Sequence, residues 1–230
     1  MPCFHLLTGR CGEREQTLFI TFEGIEGCGK TTQIKRLADH LGEFSIPFVL
    51  TLEPGGTKVG KDIRRILLDS RNQALSNLAE LLLYEADRAQ HVEEVVRPAL
   101  DREKWVLCDR FFDATTVYQG FVRGQDMALI KALNEKASLG IWPDITFVLD
   151  CPVKIGLFRA RKRESGRGGH PEEGQDRFER EEKVFHEAVR EGYLSLAKAD
   201  RKRFVVVDAT LAEDELEEVI FEHIKPYIQK

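Results

Sequence analysis

The sequence predicts a doubly wound α/β domain, a five-stranded parallel sheet with helices on both faces, and three observations support this. Five short apolar, β-rich runs recur along the chain, at Thr17–Glu23, Pro47–Leu52, Lys104–Asp109, Asp144–Asp150 and Arg203–Asp208. Every run after the first follows a longer stretch with helical spacing, the alternation expected of parallel strands joined by helical crossovers. The runs Leu18-Phe19-Ile20 and Phe204-Val205-Val206-Val207 are continuous rather than alternating, as strands buried on both faces should be.

Taken in order, helical spacing predicts helices at Lys30–Glu43, Thr57–Asp69, Ser76–Arg102, Asp126–Gly140, Pro152–Arg163, Arg177–Ala199 and Ala212–Gln229. In the longest, Leu78, Leu81, Leu82, Ala89, Val92 and Val96 fall on one stripe, which predicts the core-facing side; Pro98 predicts a kink or a break near its end. Tyr84, Arg88 and His91 share a second stripe at the shoulder of the first, where a cleft would lie, with His91 read as a surface or supporting residue. Residues 1–16 read as a poorly ordered N-terminal extension and 17–230 as one domain. The stretch Glu164–Gln175, rich in Gly, Arg and Glu, reads as an insert between two helices.

The chain has 230 residues, 42% hydrophobic and 32% charged, with a formal net charge of −5. This is enough apolar material for a substantial core, and the acidic balance argues against a general nucleic-acid binder, so anions must be bound by local Arg and Lys clusters. The five cysteines are scattered and form no C-x-x-C pair, which argues against a zinc site or disulfide framework. No apolar run approaches the ~18–20 residues of a membrane span. A cytoplasmic location is expected, with no membrane partner.

The first strand ends in Glu23-Gly24-Ile25-Glu26-Gly27-Cys28-Gly29-Lys30-Thr31, which completes G-x-x-x-x-G-K-[S/T] at a strand-to-helix junction. The glycines allow successive N–H groups to point inward as a nest for phosphate oxygens, and the following helix adds its N-terminal dipole. Residues 24 to 31 are therefore candidate ATP-binding residues, with Lys30 reaching the β and γ oxygens and the Thr31 hydroxyl a ligand for Mg²⁺. The bland alternative, a glycine-rich turn matching by chance, does not explain the strand–helix context.

No N-K-x-D segment for reading guanine is present. The third strand ends instead in Asp109-Arg110, and an acid at that edge beside a phosphate cradle suits a Mg²⁺ ligand. As plain structure, Asp109 would be a cap and Arg110 a surface ion pair. Arg159, Arg163 and Arg167 lie about one turn apart where a helix enters the Gly-rich stretch. Basic residues at a helix end are often only solvated dipole partners, yet this spacing also suits a lid, about 159–178, that closes over triphosphate.

Together, GIEGCGKTT, EPGGT, LLLYEADRAQ, CDRFFDATTVYQG and the Arg-rich stretch resemble bacterial thymidylate kinases in order and spacing, from about Thr17 to the C-terminus. The resemblance implies a P-loop fold of strand order 2-3-1-4-5, a homodimer built on the long helices, and transfer of the γ-phosphate of ATP to dTMP in dTTP synthesis. It implies that Glu26 lies near the deoxyribose 3′-hydroxyl, that Tyr84 stacks on thymine and that Arg88 donates to its O4. Arg110 binds the dTMP phosphate, and Thr115, Tyr118 and Gln119 line the nucleotide pocket. Catalytic charge comes from Lys30, Arg110 and the lid arginines Arg163 and Arg159, since Gly27 stands where another form of the family has Arg. Leu52 replaces a customary Arg before Glu-Pro-Gly-Gly-Thr, and Ala114 a customary Ser. The rival readings are another nucleoside or nucleotide kinase and an ATP-binding module that transfers nothing.

Overall fold

The computed structural model describes residues 17–72, 74–165 and 183–228. Five strands form one parallel sheet: β1 (Phe19–Glu23), β2 (Phe48–Leu52), β3 (Trp105–Asp109), β4 (Ile145–Asp150) and β5 (Phe204–Asp208). Their order is β2-β3-β1-β4-β5, as the resemblance implies. The helices are α1 (Lys30–Glu43), α2 (Lys58–Leu68), α3 (Asn77–His91), α4 (Arg97–Leu100), α5 (Phe112–Thr115), α6 (Met127–Ala137), α7 (Val153–Ser165), α8 (Lys183–Ala199) and α9 (Glu213–Ile228). Residues 177–182 of the predicted helix Arg177–Ala199, Gln229 and the N-terminal extension lie outside the described residues.

Alternation within the strands divides the core between the two faces of the sheet. Leu18, Ile20, Phe22 and Leu107 pack with α1, α8 and α9 residues such as Leu37, Val189 and Ile220. Phe19, Val106 and Cys108 pack on the other face with Val92, Val96 and Ala99. β1, β3 and β4 are buried almost throughout, but β5 is an edge strand and exposes Val206. The continuous apolar run Phe204–Val207 therefore does not mark a doubly buried strand, because only one neighbour and one covered face remain at the sheet's margin.

The long helical stretch departs from the predicted stripe. Leu81, Val92 and Val96 are buried, whereas Leu78 is 53% and Leu82 48% exposed. The inward face instead carries Glu80, Glu85, Asp87, Arg88 and His91. Hydrophobicity alone misassigned this helix because its inner side faces a polar cleft as well as the core. Ser76 caps it, its hydroxyl accepting from Ala79 N at 3.2 Å. Around Pro98 the run neither stops nor breaks; a π-helical turn at Val92–Val96 precedes α4 and accommodates the residue that lacks an N–H.

Register places Asp109 between Phe22 of β1 and Leu52 of β2, while Glu23 pairs with Val148 of β4. Glu23, Leu52, Asp109 and Asp150 thus end their strands on one edge. On either side of β1 the chain order reverses, and the crevice at the strands' carboxyl ends is where α/β sheets bind ligands.

Candidate active site

The loop between β1 and α1 wraps around the predicted phosphate cradle. Gly24, Gly27 and Gly29 all have positive φ, at 134°, 71° and 101°. Gly27 is the most constrained, since a Cβ there would come within 2.0 Å of the Gly156 carbonyl oxygen in α7. The first turn of α7 therefore backs the cradle, and no side chain fits at position 27 while it does. Lys30 is buried and folds over the loop, donating to the carbonyls of Gly24 at 3.0 Å and Ile25 at 2.9 Å. The Thr31 hydroxyl donates to Asp109 Oδ2 at 2.8 Å, joining two residues 78 positions apart.

Arg110 follows Asp109 with φ 70°, a left-handed conformation that costs a non-glycine residue ~1–3 kcal/mol and persists where surroundings enforce it. Its backbone N–H donates to Phe22 O at 3.0 Å. The guanidinium donates to Glu26 Oε1 at 2.9 Å and Tyr193 at 3.0 Å, and lies over the Tyr118 ring. Tyr118 also donates to Glu26 Oε1, at 2.7 Å. Beneath them Glu23 accepts from Tyr193 at 2.7 Å and Phe111 N at 2.8 Å. Burial pushes the Glu23 carboxyl up to about 7, opposed by the nearby Arg110 charge. Burial acts on Glu26 in the same direction, but His186, Arg110, Lys30 and Tyr118 outweigh it and hold that carboxyl well below its usual range.

At the other end of the cleft Arg88 is fully buried. Nε donates to Glu53 at 3.0 Å, Nη1 to Glu85 at 2.7 Å and Asn134 at 2.9 Å, and Nη2 to Thr115 at 2.9 Å. Four of a guanidinium's five N–H groups are thereby used, leaving one on Nη2. Glu53 Oε1 also lies 2.7 Å from His91 Nδ1, and His91 Nε2 lies 2.7 Å from the Thr51 hydroxyl. His91 is thus a supporting residue in the interior, not a surface one. The glycines of EPGGT let this happen, since a Cβ at Gly56 would come within 2.5 Å of the His91 ring. Gly55 N donates to Asp87 at 3.0 Å; burial pushes Asp87 up to about 6, reinforced by the charge on Glu53. Gln119 donates to the buried Glu80 at 2.8 Å.

A single cleft of about 370 Å³ joins both ends, lined by Glu26, Gly27, Lys30, Thr31 and Asp109 at the cradle and by Tyr84, Arg88, Arg110, Thr115, Tyr118 and Gln119 beyond it. Leu52, Arg64 and Ala114 line it as well. Arg159 does not; its Nη1 donates to Ala209 O at 2.9 Å, beside the end of β5. Arg163 belongs to the last turns of α7, but its side chain lies outside the described residues, as do Arg167 and the predicted lid from residue 166 to 178.

Sequence reasoning did not single out Glu23, Glu53, Glu85, Arg64, His186 or Tyr193. A carboxylate ending an apolar strand beside the cradle could have pointed to Glu23, and the EPGGT motif to Glu53. It also missed α5 and the π-helical turn Thr116–Val122 that carry Thr115, Tyr118 and Gln119. Threonines, valines and aromatics there are weak helix formers, and packing against α3, α6 and α8 overrides the local preference.

Thr31 and Asp109 offer a hydroxyl and a carboxylate in mutual contact at the open edge of the cradle, the hard oxygen donors that Mg²⁺ takes. Among the described residues no group of three or more His, Cys, Asp or Glu could hold a metal by itself. That fits an ion that uses one or two protein oxygens and takes its remaining ligands from phosphate and water.

Comparison with known proteins places these features in context. The family model described as "Thymidylate kinase" matches residues 22–220. The chain is 52% identical over 202 residues to a thymidylate kinase of Geotalea uraniireducens, covering 88% of this chain and 93% of that one. It is 57% identical over 190 residues to a thymidylate kinase of Geobacter sulfurreducens, covering 83% and 88%. Among solved structures, the crystal structure of thymidylate kinase from Ehrlichia chaffeensis matches with a TM-score of 0.70 at 33% identity, covering 91% of this chain and 98% of that one.

Proposed function

The chain belongs to the thymidylate kinase family, and from that premise we propose how its cleft transfers the γ-phosphate of ATP to dTMP, giving dTDP and ADP. The protein is an ATP:dTMP phosphotransferase. The observation that carries the residue-level reading is the continuity of one cleft, with the Lys30–Thr31 cradle at one end and Tyr84, Arg88 and Gln119 at the other.

Residues Gly24 to Thr31 take the triphosphate on backbone N–H groups at the start of α1. Lys30 exchanges its two carbonyl partners for anionic β and γ oxygens, which bind an ammonium more strongly. Thr31 and Asp109 would hold Mg²⁺, which would supply charge to offset that building on the transferred group. Arg110 holds the dTMP phosphate, Tyr84 stacks on thymine, and the remaining N–H of Arg88 meets O4. Gln119 reads the base edge, Thr115 and Tyr118 wall the pocket, and Glu26 faces the deoxyribose. Leu52 cannot supply the customary cation, but Arg64 lies in the same wall, anchored to Pro54 O at 2.8 Å.

The acceptor is already anionic, so no general base is required. Catalysis lies in alignment and in charge on the transferring group, supplied by Lys30, Arg110 and the lid arginine Arg163; Arg159, which donates to Ala209 O outside the cleft, does not serve it from there. A homodimer is supported by apolar residues on the outer faces of two packed helices: Val59 and Ile66, two turns apart on α2, and Leu78 and Leu82, one turn apart on α3. A cytoplasmic location is supported by Cys28, Cys108 and Cys151, all free thiols. No described helix is long and apolar enough to cross a membrane.

ADP formation measured with Mg·ATP and dTMP, dUMP, dCMP, UMP or no acceptor tests the reading. Turnover should depend on dTMP. Preference for a different monophosphate would make the protein another nucleotide kinase, and acceptor-independent hydrolysis would make it a binding module.

A further inference from the structure

His186, in the first turn of α8, is fully buried, and its Nδ1 lies 3.2 Å from Oε2 of Glu26 in the cradle loop. The two atoms are within ion-pair distance but not aligned as a hydrogen bond. Among the described residues Glu26 Oε2 and both His186 ring nitrogens have no hydrogen-bond partner. Three adjacent buried polar atoms left in this state call for an explanation, since each is costly to bury unpaired.

Glu26 Oε1 supplies one. It receives both Arg110 Nη2 and the Tyr118 hydroxyl, so the carboxylate ties up a guanidinium that lines the cleft. If Arg110 binds the acceptor phosphate, as proposed above, the phosphate must compete with Glu26 for it. Withdrawing Arg110 would strip a buried carboxylate of its principal cation, and breaking such a pair is expensive because of the charge left behind. We propose that His186 is a positioning residue that partners Glu26 through Oε2, so that Arg110 can turn to the acceptor phosphate without orphaning the carboxylate. Small rotations of either side chain convert the 3.2 Å approach into an N–H···O bond. The ammonium of Lys30 also acts on Glu26, but Lys30 is needed at the donor phosphates. His186 has no such second duty among the described residues, and its ring is held by burial and by edge contact with the Phe185 ring.

The inference rests on the acceptor-phosphate role of Arg110, and the test separates the two. Initial rates with dTMP and Mg·ATP are measured for wild type, His186→Leu, His186→Asn, Glu26→Gln, the Glu26→Gln/His186→Leu double variant and Arg110→Lys, each checked for a cooperative thermal transition. His186→Leu should raise KM for dTMP about 10-fold while kcat and KM for ATP stay within about twofold. His186→Asn, whose side-chain Nδ2 falls where the imidazole Nδ1 does and keeps an N–H donor there, should recover most of the loss. In the Glu26→Gln background the leucine should have little further effect, because no charge remains to be orphaned. Unchanged KM for dTMP in a folded His186→Leu protein would overturn the proposal, as would an equal rise in KM for ATP or an equal effect in the Glu26→Gln background. If the leucine variant does not fold, His186→Phe, which keeps a ring without its nitrogens, takes its place beside asparagine with the same expectations. Arg110→Lys with unchanged KM for dTMP would instead overturn the reading of Arg110.

Discussion

Glu53 and Arg88 form a buried ion pair, Nε to Oε2 at 3.0 Å, and the second oxygen of Glu53 faces His91 Nδ1 at 2.7 Å. The residue proposed to read thymine is thus set in place by a chain running from β2 through the EPGGT loop to α3. His91→Ala should raise KM for dTMP about 10-fold with KM for ATP unchanged, since the loss of one hydrogen bond to a buried charge lets Glu53 and Arg88 shift. Steady-state kinetics against both substrates decide the matter, and equal effects on the two would mean a general loss of stability.

Among the described residues one Nη2 proton of Arg88 remains for a ligand, and arginine accepts no hydrogen bond, so the site should reject an amino group at the position of thymine O4. Discrimination of dTMP over dCMP in kcat/KM should be ~10²-fold or more, against ~10–200-fold over dUMP, which lacks only a methyl group. Arg88→Ala should collapse the first ratio. An unchanged dTMP/dCMP ratio would mean that Arg88 does not read the base.

Lys30→Ala should lower kcat ~10²–10³-fold with little change in the thermal transition, because it removes a charge contact on the transferring group. Among the described residues Lys30 bonds only loop carbonyls and the Cys28 thiol, so the fold loses little. A folded variant with near wild-type turnover would exclude the cradle from the chemistry.

Gly27 cannot be exchanged for an arginine. At φ 71°, with a Cβ 2.0 Å from the Gly156 carbonyl, any side chain displaces α7 from the cradle. Gly27→Arg should destabilise the protein by ~1–3 kcal/mol and weaken ATP binding, rather than rescue a lid-arginine deletion. Titration calorimetry with ATP and a thermal melt measure both effects.

The raised Glu23 carboxyl predicts a pH dependence of stability. With its folded pKa near 7, above the usual 4.5, the native state holds a proton that the unfolded chain releases, so stability falls as pH rises from about 4.5 to about 7. A difference of that size corresponds to on the order of 3 kcal/mol. Urea denaturation at pH 5 and pH 8 should show wild type losing stability relative to Glu23→Gln over that interval; parallel curves would place the carboxyl at an ordinary pKa.

The strands and most helices were legible because their cues are local: an apolar run of strand length, a helical period, a glycine motif at a strand–helix junction. Thr31 and Asp109 were legible as a pair because strand ends meet on one edge of a parallel sheet. Harder to read was the helix from Ser76, where an apolar stripe suggested a core face and the structure exposes Leu78 and Leu82. Periodicity records which residues are apolar, not whether the helix's inward side meets core or cleft.

By itself the sequence determined the sheet, its helical layers, the phosphate cradle and the residues whose spacing marks the site, because these follow from backbone preference and period. Only the tertiary structure decided which partners hold those residues. Arg88 bonds residues 35 positions before it and 46 after it, Arg110 bonds Glu26 and Tyr193, and His186 comes against the cradle from a helix 160 residues away. A buried charge must find its partners wherever folding brings them, and the chain's order carries no local record of that meeting.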